Sequence, residues 1–180
     1  PIHNDNLKRY TSTVKMNGKD YHPVIYDLPV DTVGDGGLFQ DMTGGTLSYV
    51  RLSGASVAAG GYAGGLVGVA AGDTSIIGCQ VLLSPARGQL DGKTEQDAWI
   101  TGTSAGGRVG LAQGKLTIEE SFAATVVRGT EYAGGLVGRA EGTVSAGRSY
   151  ADCYLYGGTT GGLAAAGAVS LRNCYAAGFQ

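Results

Sequence analysis

The chain has 180 residues, a formal charge of −2 and 43% hydrophobic content, which suffices for one domain or one stack of repeats with a buried core. Its 33 glycines and 4 prolines together fall below the level that marks disorder, so the glycine points to tight turns in an ordered chain. No clustered basic excess suits a nucleic-acid face, no apolar run nears the roughly 18 residues of a membrane span, and no signal-peptide pattern is read at the start.

Residues 1–35 hold both histidines, His3 and His22, together with Pro1, Pro23 and Pro29, and lack any glycine pair. Val14-Lys15-Met16, the turn pair Asn17-Gly18 and the run from Tyr21 to Val30 predict strand, hairpin turn and strand. They are read as an N-terminal cap or first irregular coil over one end of a stack. A chain that opens on Pro1 is expected to be a processed product or a segment of something longer.

From Gly36 the chain repeats itself. Ala63-Gly64-Gly65-Leu66-Val67-Gly68 returns as Ala133-Gly134-Gly135-Leu136-Val137-Gly138, and with one arginine as Ala105-Gly106-Gly107-Arg108-Val109-Gly110. Gly36-Gly37-Leu38-Phe39 and Gly161-Gly162-Leu163-Ala164 are weaker copies, so the first glycines follow one another at intervals of 28, 42, 28 and 27 residues. A period in this range signals a repeat architecture.

Overlaying the units aligns Val50, Cys79, Ser121, Ser149 and Cys174, then Arg51, Gln80, Phe122, Tyr150 and Tyr175, then Leu52, Val81, Ala123, Ala151 and Ala176. Leu47, Ile76, Ile118, Ala146 and Leu171 form a further apolar slot. Small or apolar residues alternating with polar or aromatic ones fit strands with one buried face. One such unit cannot bury its apolar edge alone, whereas units in register can. The prediction is an all-β parallel β-helix, a β-solenoid of about five coils of ~28 residues, right-handed, with about three short strands per coil. A sandwich of hairpins is the runner-up and gives no reason for in-register repetition. The glycines are expected at corners of positive φ and where backbones approach closely. Residues 36–180 form the repeat region, and about 84–104 an insertion loop, because a coil of fixed length cannot absorb fourteen extra residues.

Few groups suggest chemistry. Cys79, Cys153 and Cys174 are expected as buried free thiols, since the stacking keeps them beyond the roughly 7 Å reach of a disulfide. Neither Cys-x-x-Cys nor a neighbouring histidine supports a metal site. The glycine element lacks the lysine and following helix of a phosphate loop. No serine elbow or His-Glu-x-x-His appears, and Glu119, Glu120, Glu141 and Asp152 fall in different slots, so neither an enzyme nor a cofactor is predicted.

Two candidate binding features remain. Tyr150, Tyr154 and Tyr156 should point outward from one strand, with Tyr175 stacked beside Tyr150 and Phe122 on its other side. Such a ladder suits a sugar or protein partner, and equally suits stacking between coils. Asp97 and Trp99 in the insertion are the second. Arg108 stands where Leu66 and Leu136 stand in other copies, and a buried unpaired charge is costly. It is therefore expected to turn outward or to pair with Asp97 or Glu95.

The pattern resembles the GLUG repeat, through Gly65-Leu66-Val67-Gly68, Gly135-Leu136-Val137-Gly138 and the strand ending Leu171-Arg172-Asn173-Cys174-Tyr175. Gly37-Leu38-Phe39 resembles the phenylalanine-containing first copy of such arrays, and Met16-Asn17-Gly18-Lys19 the hairpin before it. Gln40, Arg108 and Ala164-Ala165 depart from the motif. The resemblance implies a bacterial surface or secreted protein, adhesin-like, of the kind also found in non-catalytic regions of immunoglobulin-A-cleaving metalloproteases. It carries over no catalytic residue. The expected function is a non-enzymatic extracellular structural or adhesive segment: a stalk, scaffold or self-assembling module. The alternative is a carbohydrate-binding module using the outward aromatics. Phe179-Gln180 closes the last coil without a polar cap, so neighbouring repeats or domains, a second copy, or a host protein or glycan are the expected partners.

Overall fold

The computed structural model describes residues 2–4, 9–11, 13–82 and 99–179. These contain strands and no helix. The strands form two large sheets, of ten and eleven strands, in which every pairing is parallel; the hairpin Val14–Met16 with Lys19–Tyr21 is the antiparallel exception. The chain winds as a β-solenoid in which each strand pairs with its copy one coil away. Ile76 pairs with Leu47 and Ile118, Ile118 with Ala146, and Ala146 with Leu171. Ala63 pairs with Ala105, and Ala105 with Ala133. The columns read from the 28-residue period are thus the columns of the fold.

The coil from Val137 has the three strands expected, Val137–Ala140, Val144–Gly147 and Tyr150–Gly161, whereas the coil before it has four. The coil that starts at Val109 runs Val109–Ala112, Lys115–Glu119, Phe122–Ala124 and Val126–Gly134, and the last of these shifts register between Gly129 and Tyr132. Small residues let the chain bend inside a strand without losing its ladder. The first 35 residues supply a further coil. Ile2–Asn4 and Arg9–Thr11 pair with Phe39–Ser48, Val24–Tyr26 with Arg51–Ser53, and Pro29–Thr32 with Ser56–Ala59. The hairpin projects from this coil on a turn with positive φ at both Asn17 and Gly18, the geometry Asn-Gly favours. Its base is tied down where His22 stacks on Tyr49 at 4.7 Å.

The motif glycines do not serve as left-handed corners, since none of Gly64, Gly65, Gly68, Gly106, Gly107, Gly110, Gly134, Gly135 or Gly138 has positive φ. They are required by close approach. A Cβ on Gly65 would stand 2.6 Å from the Gly107 carbonyl oxygen, and one on Gly138 would stand 2.7 Å from that of Ala105. The left-handed corner falls on another column: Tyr49, Gly78, Glu120, Arg148 and Asn173, with φ between 45° and 62°. Only one of these is glycine. Below it the chain turns inward through Val50, Cys79, Ser121, Ser149 and Cys174, whose side chains explain the Ser/Cys preference. Ser121 and Ser149 Oγ donate to the carbonyls two residues back, Glu119 (2.7 Å) and Gly147 (2.8 Å). In return, Ser121 Oγ accepts the Cys79 amide at 3.0 Å, and Ser149 Oγ the Ser121 amide at 3.2 Å. Each corner hydroxyl thus satisfies one inward amide that the turn would strand in the interior, and adds a second donor to a carbonyl that already accepts a backbone amide.

Candidate functional site

The strand Tyr150–Gly161 follows this corner, and its side chains alternate as the period-two pattern requires. Ala151, Cys153 and Leu155 are buried, whereas Tyr150, Tyr154 and Tyr156 are half-buried on the outer side and Asp152 is exposed. Phe122, Tyr150 and Tyr175 form one ladder, with successive ring centroids 4.8 Å apart and ring planes within 2–3° of parallel. That spacing is the interstrand distance of a sheet, so each ring covers a face of the next. Within the ladder Tyr150 has both ring faces covered, by Phe122 and Tyr175, so its edge and hydroxyl are what it presents outward. Tyr175, 59% exposed, has a stacking partner on one side only. Packing and the neighbouring Tyr175 and Asp152 push the Tyr150 hydroxyl above its usual pKa. The same slot continues upward by a hydrogen bond, from Arg51 Nε to Gln80 Oε1 at 2.9 Å.

Trp99 is not on the outer surface. It is 5% exposed, and its backbone already lies in the coil, with the Val57 amide donating to its carbonyl and its own amide donating to that of Val126. The solenoid has resumed at this residue, which explains why the ring is packed rather than presented. Asp97 and Glu95 lie outside the described residues, as does most of the 84–104 insertion.

Arg108 is the largest departure from expectation. It neither turns outward nor pairs with a carboxylate among the described residues; its side chain is wholly buried. The backbone hydrogen bonds that chain Leu66, Arg108, Leu136 and Leu163 together fix it in the leucine column, so the side chain has nowhere to go but inward. Nη2 donates to the Cys79 carbonyl at 2.6 Å, while Nε and Nη1 have no hydrogen-bond partner among the described residues. Loss of solvent lowers its pKa to about 10, against smaller opposing effects of Cys79, Cys153 and Tyr150. Burial also raises the thiol pKa of Cys79, and pushes that of Cys153 up to about 12.

All three cysteines are free. Cys79 and Cys153 are buried as expected, but Cys174 is only partly so, because it lies in the last described coil, with none of the described residues packed beneath it.

Sequence reasoning missed an ion-pair network at the corner. Glu119 and Glu120, which fall in separate slots and look scattered, are bridged by Arg148: Nη2 lies 3.2 Å from Glu119 Oε2 and 2.9 Å from Glu120 Oε1. Arg172 reaches Glu119 Oε1 at 3.5 Å. Applying the 28-residue interval to the charges would have found it, since Glu120 and Arg148 stand one period apart. Elsewhere Arg139 pairs with Glu141 at 3.0 Å and lies over the Tyr132 ring. Among the described residues no three His, Cys, Asp or Glu side chains are placed to hold a metal ion, and no helix is long and apolar enough to cross a membrane. No protein-family model, curated protein or solved structure matches the chain.

Proposed function

We infer that this chain is a non-enzymatic structural and adhesive segment of a bacterial surface or secreted protein, a stalk or scaffold built on GLUG-like coils. The observation that carries this reading is how the outer side chains are used. Arg51 with Gln80, Phe122 with Tyr150, Tyr150 with Tyr175, and Glu119 and Glu120 with Arg148 all join adjacent coils, and Arg172 reaches Glu119 two coils away. Side chains that an enzyme would converge on one substrate are spread along the axis, each fastening one coil to another. Such a rod transmits position and load and supplies a long surface. The lower face of the last described coil extends the reading to assembly. Leu171, an interior residue by its column, is 53% exposed there, and the Tyr175 ring lies open. A further β-coil, from a longer chain or a second copy, would continue both columns and pair the free strand edges.

Two measurements test this. Antibodies raised against the chain should label intact cells of the source organism, and confinement of the signal to lysed cells would overturn the surface assignment. Light scattering should show concentration-dependent association that Leu171→Lys abolishes; a monomer at every concentration would overturn self-assembly. Binding on a glycan array that is lost in Tyr154→Ala would favour carbohydrate recognition instead.

A further inference from the structure

The interior of a solenoid is the least hospitable place for a guanidinium, and Arg108 keeps one there with most of its donors unmet. Three of its five N–H bonds belong to Nε and Nη1, which have no acceptor among the described residues, while Nη2 is engaged by the Cys79 carbonyl. A backbone carbonyl satisfies a donor but not the charge. No carboxylate among the described residues forms an ion pair with Arg108. The ionisable groups nearest in effect are Cys79, Cys153 and Tyr150, and each is held in its neutral form by its surroundings. Among the described residues the group is therefore, at neutral pH, a cation without an anion, in a medium where an unpaired charge is very costly.

We propose that Arg108 binds a buried monovalent anion of halide size, chloride under ordinary conditions, within the solenoid core. A water molecule would satisfy donors and leave the charge uncompensated; a halide ion does both. The surroundings favour a small ion. Alongside the leucine column runs Val81, Ala123 and Ala151, and Gly107 packs so closely on Ala123 that an added Cβ would lie 2.8 Å from the alanine methyl. Sulfate or phosphate would bring a second charge and four oxygens into a layer lined by methyl groups and thiols. The arginine thus converts one slot of an apolar column into an anion site, at the coil that follows the 84–104 insertion. This inference does not depend on the scaffold role.

The test uses the whole chain and its Arg108→Leu variant, which restores the residue of the neighbouring coils. Thermal unfolding is followed as chloride or bromide replaces gluconate at constant ionic strength. The wild-type midpoint should rise by about 5 °C or more as halide passes from its Kd to a hundredfold above it, and the Arg108→Leu midpoint should stay flat. Crystals grown in bromide should give an anomalous peak within hydrogen-bond distance of Arg108 Nε or Nη1. Equal halide responses in the two proteins would overturn the proposal, as would density at that position with the strength of water and no anomalous signal. If a chain carboxylate supplies the counter-charge, unfolding is independent of halide and bromide is absent, which also overturns it.

Discussion

Arg108 and Cys153 are two buried titratable residues whose pKa values move in opposite senses with respect to stability. Arg108 falls to about 10 in the fold from an ordinary 12.5, so between those values the unfolded chain holds the extra proton and stability rises with pH. Cys153 rises to about 12 from 9.0, so above pH 9 the unfolded thiol ionises, the native one does not, and stability falls. Cys79 shifts in the same sense. From pH 9 to 10 the thiols act before the arginine. The unfolding free energy from urea titrations should therefore fall across that window, by up to about 1.4 kcal/mol per pH unit for each thiol. Cys153→Ala should flatten the slope by one such contribution; an unchanged slope would mean that Cys153 titrates like an exposed thiol. Replacing the guanidinium is the complementary change. At low halide, Arg108→Leu should raise stability by about 1–4 kcal/mol, the usual gain when a buried charge yields to a well-packed apolar side chain. A loss in the same urea titration would show that the arginine is better solvated than its burial implies.

At the scale of the element, the glycine hexapeptide and the Ser/Cys corner divide the work of making a coil. The second motif glycine gives two backbones room to touch. A Cβ on Gly135 would fall on the Gly162 carbonyl oxygen and 2.5 Å from the Ala151 methyl, whereas one on Gly34 finds nothing nearer than 4.0 Å. Gly135→Ala should therefore cost about 3 kcal/mol or more, because backbone on both sides must move. Gly34→Ala should lie within about 0.5 kcal/mol of wild type. Similar urea midpoints for the two would refute the close-approach explanation. The column assignments are legible in the sequence because same-slot residues repeat in size and polarity: Ile76 and Ile118, Ala105 and Ala133, Phe122 with Tyr150 and Tyr175. The corner is not, since Tyr49, Glu120, Arg148 and Asn173 share a left-handed backbone and no side-chain property. Arg108 misleads for a related reason. Its own chemistry argues for the surface, but its hydrogen-bonded place in the leucine column decides its direction. The tyrosine ladder is legible down to its order, yet only the structure shows that both faces of the Tyr150 ring are spent on its neighbours.

Over the whole molecule, stability is a sum of coils and of the interfaces between them, because the strands of each coil pair only with those of its neighbours. Val109–Ala112 is held from both sides, by Val67–Ile77 and by Val137–Ala140. Among the described residues, Val169–Arg172 and Tyr175–Phe179 have a partner strand on one side only. The buried column that is closed at Ile118 is open at Leu171. Opening should therefore begin at the last coil and spread by whole coils, with the ion pairs from Arg148 and Arg172 to Glu119 among the last links between the final three. Hydrogen exchange of the 180-residue chain should show the slowest amides within Val67–Ile77, Val109–Ala112 and Val126–Gly134, and the fastest ladder amides within Val169–Arg172 and Tyr175–Phe179. Leu171→Lys should leave the central amides unchanged, because the edge coil already contributes little to their protection. Uniform exchange across all coils would mean that the solenoid unfolds as one cooperative unit. Nearest-neighbour additivity would then fail as a description of it, and an edge substitution would destabilise every coil alike.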